Sequence, residues 1–133
     1  MPERDPADLA AQLAGKARDD ATAVREFANN SQIADSIIGF HAQQAVEKWL
    51  KAVMALRGIP QTRIHDLARL ADILEENGVE VPLSGDQLDE LTRYAVPLRY
   101  EDLLDAEPLN RDAALSSVDE VGKWAAAELH PSG

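Results

Sequence analysis

The sequence predicts an all-α protein, an antiparallel up-down bundle of about five helices. Apolar residues recur at helical spacing in five segments, each closed by cap or breaker residues. No alternating apolar run competes for a strand. Aromatic residues make up only 5% of a chain that is 45% hydrophobic, so the core must come mainly from Leu, Ala, Val and Ile, which favours close helix packing over a sheet.

The elements follow in order. Asp5-Pro6 opens the first helix as an N-cap with proline at the first helical position, and Asp8 suits the positive helix end. Leu9, Leu13, Ala17, Val24 and Phe27 or Ala28 form its stripe, and Asn29-Asn30-Ser31 breaks it. The second helix is expected from about Gln32 to Leu56. Arg57-Gly58-Ile59-Pro60 ends it, glycine just past the last periodic residue and proline beyond. The third runs from about Ile64 to Glu76 with Leu67, Leu70 and Leu74 inward, and stops at Asn77-Gly78. Ser84-Gly85-Asp86-Gln87 is a capping box for the fourth, whose stripe is Leu88, Leu91 and Ala95. Pro97 interrupts it and leaves Leu98-Arg99-Tyr100 in a bend. The fifth, about Asn110 to Leu129, buries Ala114, Val118, Val121, Ala125 and Leu129.

Length and composition bound the function. The 133 residues suit one domain over 1–133, with flexible tails expected at 1–5 and 130–133. The absence of cysteine removes disulfides, thiolate nucleophiles and thiolate metal sites. His41, His65 and His130 lack metal-ligand spacing, and no metal or cofactor is expected. The polar start Met1-Pro2-Glu3-Arg4-Asp5 predicts neither a signal peptide nor a membrane span, hence a cytoplasmic protein. A formal net charge of −11 argues against broad, nonspecific nucleic-acid binding. The charge is unevenly placed. From Lys48 to Arg69 stand Lys48, Lys51, Arg57, Arg63 and Arg69 against Asp66 alone, whereas Leu70 to Thr92 holds seven acids and no base. The basic zone is either a small-anion site, as for a nucleotide phosphate, or a set of solvated ion-pair partners.

The second helix is the most informative stretch. Gln43, Glu47 and Lys51 lie four apart on one face. The remaining faces carry Ala45, Val46, Trp49, Leu50, Ala52, Val53 and Leu56, an arc too wide for a surface helix. A buried helix that keeps Gln44, Glu47, Lys48 and Lys51 must satisfy them or present them to a ligand. Phe40-His41-Ala42-Gln43-Gln44-Ala45-Val46-Glu47-Lys48-Trp49-Leu50-Lys51-Ala52, then His65-Asp66-Leu67, then Arg99-Tyr100, resembles the prokaryotic HEPN domain of the nucleotidyltransferase-associated type.

That resemblance implies a helical module that binds a nucleotide or RNA, forms a homodimer, and pairs with a minimal nucleotidyltransferase in a toxin–antitoxin-like system. HEPN ribonucleases use Arg-x(4–6)-His, the arginine stabilising the scissile phosphate and the histidine moving a proton. The pattern is absent: none of the three histidines has an arginine five to seven positions before it. The expected ligand-binding residues are Arg99, Tyr100, His65, Lys51, Lys48 and Arg93, with no catalytic residue assigned. Arg99 offers a planar fork to phosphate or pairs with Glu101 or Asp102. His65 grips a ligand at the third helix's N-terminus, or packs on the second helix while Asp66 caps. Lys48 and Lys51 share a groove, or pair with Glu47. Tyr100 stacks on a base or packs in the core. Two further readings stay open, a metal-independent endoribonuclease using Arg99, Arg93 and His65 as stand-ins, and a non-catalytic dimeric adaptor.

Overall fold

In the computed structural model, which describes residues 5–95 and 108–131, the chain folds into α1 (Pro6–Phe27), α2 (Asp35–Leu56), α3 (Leu67–Glu76), α4 (Gly85–Thr92) and α5 (Arg111–Leu129). No strand occurs among the described residues. Pro97, Arg99 and Tyr100, with the bend expected there, lie outside them.

α1, α3, α4 and α5 each start where a short polar side chain can meet otherwise orphaned N–H groups, whereas α2, with Ala34 at its N-cap, starts without a side-chain cap. Asp5 accepts from the Ala7 amide, Asp66 from Ala68 and Arg69, and Asn110 from Ala113. Ser84 and Gln87 close the capping box reciprocally, at 3.2 and 2.8 Å. The ends are equally local. Gly58 and Gly78 take φ of +73° and +82°, values that favour glycine, and terminate α2 and α3.

Three boundaries differ from the sequence expectation: the fourth helix ends at Thr92, short of Ala95 in its expected stripe, and two helices start late. The second helix begins at Asp35 rather than Gln32, because the preceding loop is held by a cation. Arg111 donates to the carbonyls of Ala28, Asn30 and Ile33 at 3.1, 2.9 and 2.6 Å, and to Asp35 at 2.9 Å. The Leu109 amide takes the other Asp35 oxygen at 3.0 Å. Carbonyls committed to Arg111 are held in the loop, so helical pairing starts after it. The third helix begins at Leu67 rather than Ile64, because Asp66 is its cap.

α2 is the centre. Thirteen of its residues are buried, and it packs against all four other helices. α1 lies antiparallel to it along most of its length, bringing Ala10, Ala14, Ala17, Ala21 and Val24 inward, while Leu9, Leu13 and Phe27 flank the contact half-buried. The sequence stripe placed Leu9 and Leu13 at the centre, but alanines occupy it because they let the two backbones approach. α5 runs in the same sense as α2: Arg111 meets Asp35 at one end and Arg57 meets Glu128 at the other. The connection through α3 and α4 is long enough to return the chain to the starting end. Fully buried Ile38, Leu50, Leu67, Leu70 and Leu74 share one core, each contributing about 1.5–3 kcal/mol.

One close approach depends on a missing side chain. The Tyr94 ring lies on the α2 backbone at Gly39, where a Cβ would come within 2.4 Å of its Cγ. Replacing a helix-interior glycine by alanine ordinarily gains about 1 kcal/mol in propensity. Overpacking here costs about 1–3 kcal/mol and wins. Gly39→Ala is therefore expected to lower the thermal midpoint, and an unchanged or raised midpoint would show that Tyr94 does not pack there.

Candidate functional site

Gln43 and Glu47 are 0% and 5% exposed inside the apolar central helix. They remain tolerable because each of their side-chain polar atoms has a hydrogen-bond partner. The Gln43 amide donates to Glu47 Oε1 at 2.8 Å and to the His65 carbonyl at 3.4 Å, and accepts from Gln44 at 2.7 Å. His65 Nδ1 stands 2.9 Å from the same Glu47 oxygen, and Lys51 Nζ takes Oε2 at 3.1 Å. Gln61 in turn donates to the Lys51 carbonyl, tying the α2–α3 loop down. Burial pushes the Glu47 carboxyl up, but hydrogen bonds from Gln43, His65 and Lys51, with the Lys51 charge, outweigh it and hold the group below its ordinary value.

A second carboxylate repeats the pattern on the α1 side. Asp20 takes His41 Nδ1 at 2.9 Å on one oxygen and Lys48 Nζ at 2.5 Å on the other. The Asp20 side chain is 12% exposed, deeper than His41 at 30% or Lys48 at 25%. Phe27 and Phe40 set the His41 imidazole between two edge contacts, at centroid distances of 6.4 and 5.7 Å.

Both imidazoles therefore have the same chemistry. An ionised carboxylate only accepts, so each Nδ1 donates to its carboxylate, and in the neutral ring Nε2 is then the atom with the lone pair. The outer face of α2 presents Ile37, Phe40, His41, Gln44, Lys48 and Lys51 at helical spacing, with His65 beside it. The carboxylates lie beneath. Ile37 and Phe40 are exposed, and Phe40 is the exposed aromatic among the described residues.

The expected site residues are distributed differently from the sequence reading. Lys48 and Lys51 do not both pair with Glu47; Lys48 reaches across to Asp20 on α1 and Lys51 alone keeps Glu47. They stand on either flank of the open face. Asp66 caps α3 while His65 packs on α2, the second of the alternatives open for them. Arg93 meets Glu90 and lies over the Tyr94 ring, 5.8 Å from its centroid. Arg99 and Tyr100 lie outside the described residues. The basic zone is largely neutralised, since Arg57 pairs with Glu128 and Arg69 with Glu76 as well. Asp20 and His41 were not anticipated. His41 stands seven residues before Lys48, a spacing that places both on one face and would have flagged it; Asp20 carries no such local signal. No group of three His, Asp or Glu side chains able to hold a metal occurs among the described residues, and no described helix is long and apolar enough to cross a membrane.

The depressed Glu47 group makes stability pH-dependent. Its contribution is present above the ordinary carboxyl value of 4.5 and is lost as pH falls through the lower folded value. Glu47→Gln is expected to lose about 1.5–3 kcal/mol at pH 7, the worth of a hydrogen bond to a charged group. In urea titrations the gap between wild type and variant should close as the solution is acidified below 4.5. A gap that stays constant with pH would contradict the network.

The family model of the HEPN domain matches residues 10–129, nearly the whole chain. No curated protein and no solved structure matches it. HEPN domains are helical modules associated with nucleotides and RNA, and they commonly dimerise. The helix-2 pattern, the His-Asp-Leu element and the all-helical fold agree with that match, and the chain belongs to the HEPN domain family.

Proposed function

We propose that this chain is a single-domain nucleotide- or RNA-binding HEPN module whose contact surface is the open face of α2. One observation carries the reading: on that face the imidazoles and ammonium groups lie outward of the carboxylates that hold them, beside the exposed ring of Phe40. A polyanion approaching there meets Lys48, Lys51, His41 and His65 before Asp20 or Glu47. Phe40 supplies a surface on which a base stacks. Phosphate contact and stacking act together, so this small area offsets an unfavourable overall charge of −11. Of the residues expected from sequence, His65, Lys48 and Lys51 belong to this face; Arg99, Tyr100 and Arg93 are proposed as further ligand contacts.

In the cell the module works as a cytoplasmic homodimer beside a minimal nucleotidyltransferase, in a toxin–antitoxin-like pair. Family membership supports this part, and the missing Arg-x(4–6)-His pattern favours a partnered binding role.

Calorimetric titration with AMP, ATP and a short single-stranded RNA tests the ligand. Saturable binding is expected, weakened about tenfold by Phe40→Ala, in line with the loss of one stacked base. Binding of none of the three by the wild-type protein would overturn the ligand reading. Co-purification with a minimal nucleotidyltransferase tests the partner separately.

A further inference from the structure

A cavity of about 250 Å³ lies between α4 and the start of α5, and it shares no residue with the open face of α2. Leu91, Pro108, Leu109 and Ala114 give it apolar walls. Two polar side chains are sunk into those walls: Tyr94 and Ser117 line the cavity and are each only 5% exposed. Neither hydroxyl has a hydrogen-bond partner among the described residues. Thr22 and Thr92 return their hydroxyls to the carbonyl four residues back, the usual resort of a hydroxyl on a helix, and Ser117 does not. Among the described residues the fully enclosed side-chain polar atom without a partner is Trp124 Nε1, so both hydroxyls keep an open edge, and the cavity provides it. A sunken hydroxyl without a protein partner carries a cost that a ligand's hydrogen bond removes.

The walls are anchored from α2. The Tyr94 ring lies on the backbone at Gly39, and the Leu109 amide donates to Asp35 at 3.0 Å. At the rim, Gln87 and Asn110 have committed their amide oxygens, Gln87 to the Ser84 amide and Asn110 to the Ala113 amide. Each therefore keeps its NH₂ group as a donor. Glu90 also lines the cavity, and Arg93 engages its carboxylate. Burial holds the Tyr94 phenol above its ordinary value; the Arg93 charge opposes this, and Asp35 and Glu90 add to it. The phenol is thus a donor at neutral pH, in surroundings that disfavour a further negative charge.

Donors in an apolar cavity suit a ligand whose polar part accepts. An anion is opposed by Asp35 and Glu90, and a cation finds Glu90 already paired. An apolar cavity of about 150 Å³ holds benzene, so this larger one has room for a single ring with a short polar substituent. We propose that the α4–α5 cavity binds a small uncharged carbonyl compound of one ring, its oxygen accepting from the Tyr94 and Ser117 hydroxyls and its apolar body packing on Leu91, Leu109 and Ala114. A carbonyl oxygen has two lone pairs and so meets both hydroxyls at once. The site goes beyond the contact surface on α2, and each stands without the other.

The test titrates the full 15N-labelled chain with three probes of one shape, benzamide, benzoate and benzamidine, and follows the backbone amides. Benzamide is expected to bind saturably with a Kd of about 1–10 mM, the range for a ligand this small, and to move the Leu91, Ala114 and Ser117 amides. The charged probes should bind at least about fivefold more weakly, because the cavity leaves their charge unpaired. Ser117→Ala and Tyr94→Phe should each weaken benzamide by about three- to tenfold, the worth of one hydrogen bond. Neither hydroxyl has a protein partner to lose, so both variants should keep or raise the thermal midpoint, which a structural hydroxyl would not allow. Ala113→Leu fills the cavity from an exposed helical position and should abolish binding in a folded chain. No saturable binding of benzamide, equal binding of the three probes, or shifts that survive Ala113→Leu each overturn the proposal. A lowered midpoint in both hydroxyl variants overturns it too. Ala113→Leu keeps the test decisive where a buried variant fails to fold.

Discussion

A carboxylate buried in the central helix of a bundle carries a penalty of several kcal/mol unless donors meet both of its oxygens. Glu47 sets that condition for this protein. Its donors come from three places: Gln43 one turn earlier, Lys51 one turn later, and His65 from the loop beyond the helix. The last of these fixes more than a side chain. With His65 drawn onto Glu47 and its carbonyl onto Gln43, the α2–α3 loop must run back along α2, and Asp66 falls where it can cap α3. The Thr92 hydroxyl then meets the Leu67 amide and brings the end of α4 to the start of α3. One buried charge thus orders the half of the molecule that follows it.

The other half is ordered by the converse arrangement, a cation among carbonyls. Arg111 gathers the α1–α2 loop and Asp35 to the start of α5, which explains why α2 starts late and why α5 lies in the same sense as α2. Between these two anchors α2 is buried on every side but one. The open side is where Asp20 and Glu47 each hold one histidine and one lysine. Exposed ion pairs elsewhere, such as Arg25 with Asp119 at about half exposure, contribute little to stability. The two clusters on α2 differ because their carboxylates are sunk; Lys48, His41 and His65 stay more exposed, while Lys51 is as covered as Asp20.

The fold was legible where local chemistry decides it. The caps at Asp5 and Asn110, the capping box at Ser84 and the stops at Gly58 and Gly78 act over four residues or fewer, and the sequence displays them. The late start of α2 was not legible, because its cause lies in Arg111, far along the chain. The centre of the α1 stripe was misplaced for a related reason. Leu9 and Leu13 outrank alanine in apolarity, but close approach to α2 selects the small residues. The site divides in the same way. Gln43, Glu47 and Lys51 follow from the periodicity of one helix, whereas Asp20 belongs to the site only through the register between two helices.

The central claim is that two sunk carboxylates hold His41 and His65 with Nδ1 protonated and Nε2 open on the face of α2. Long-range 15N–1H correlation spectra of the histidine side chains read this directly, before and after addition of a short single-stranded RNA. The account predicts the Nδ1–H form for both imidazoles at neutral pH, and RNA-dependent shifts at both Nε2 atoms while His130 is unaffected. The Nε2–H form at either His41 or His65, or spectra that RNA leaves unchanged, would contradict it.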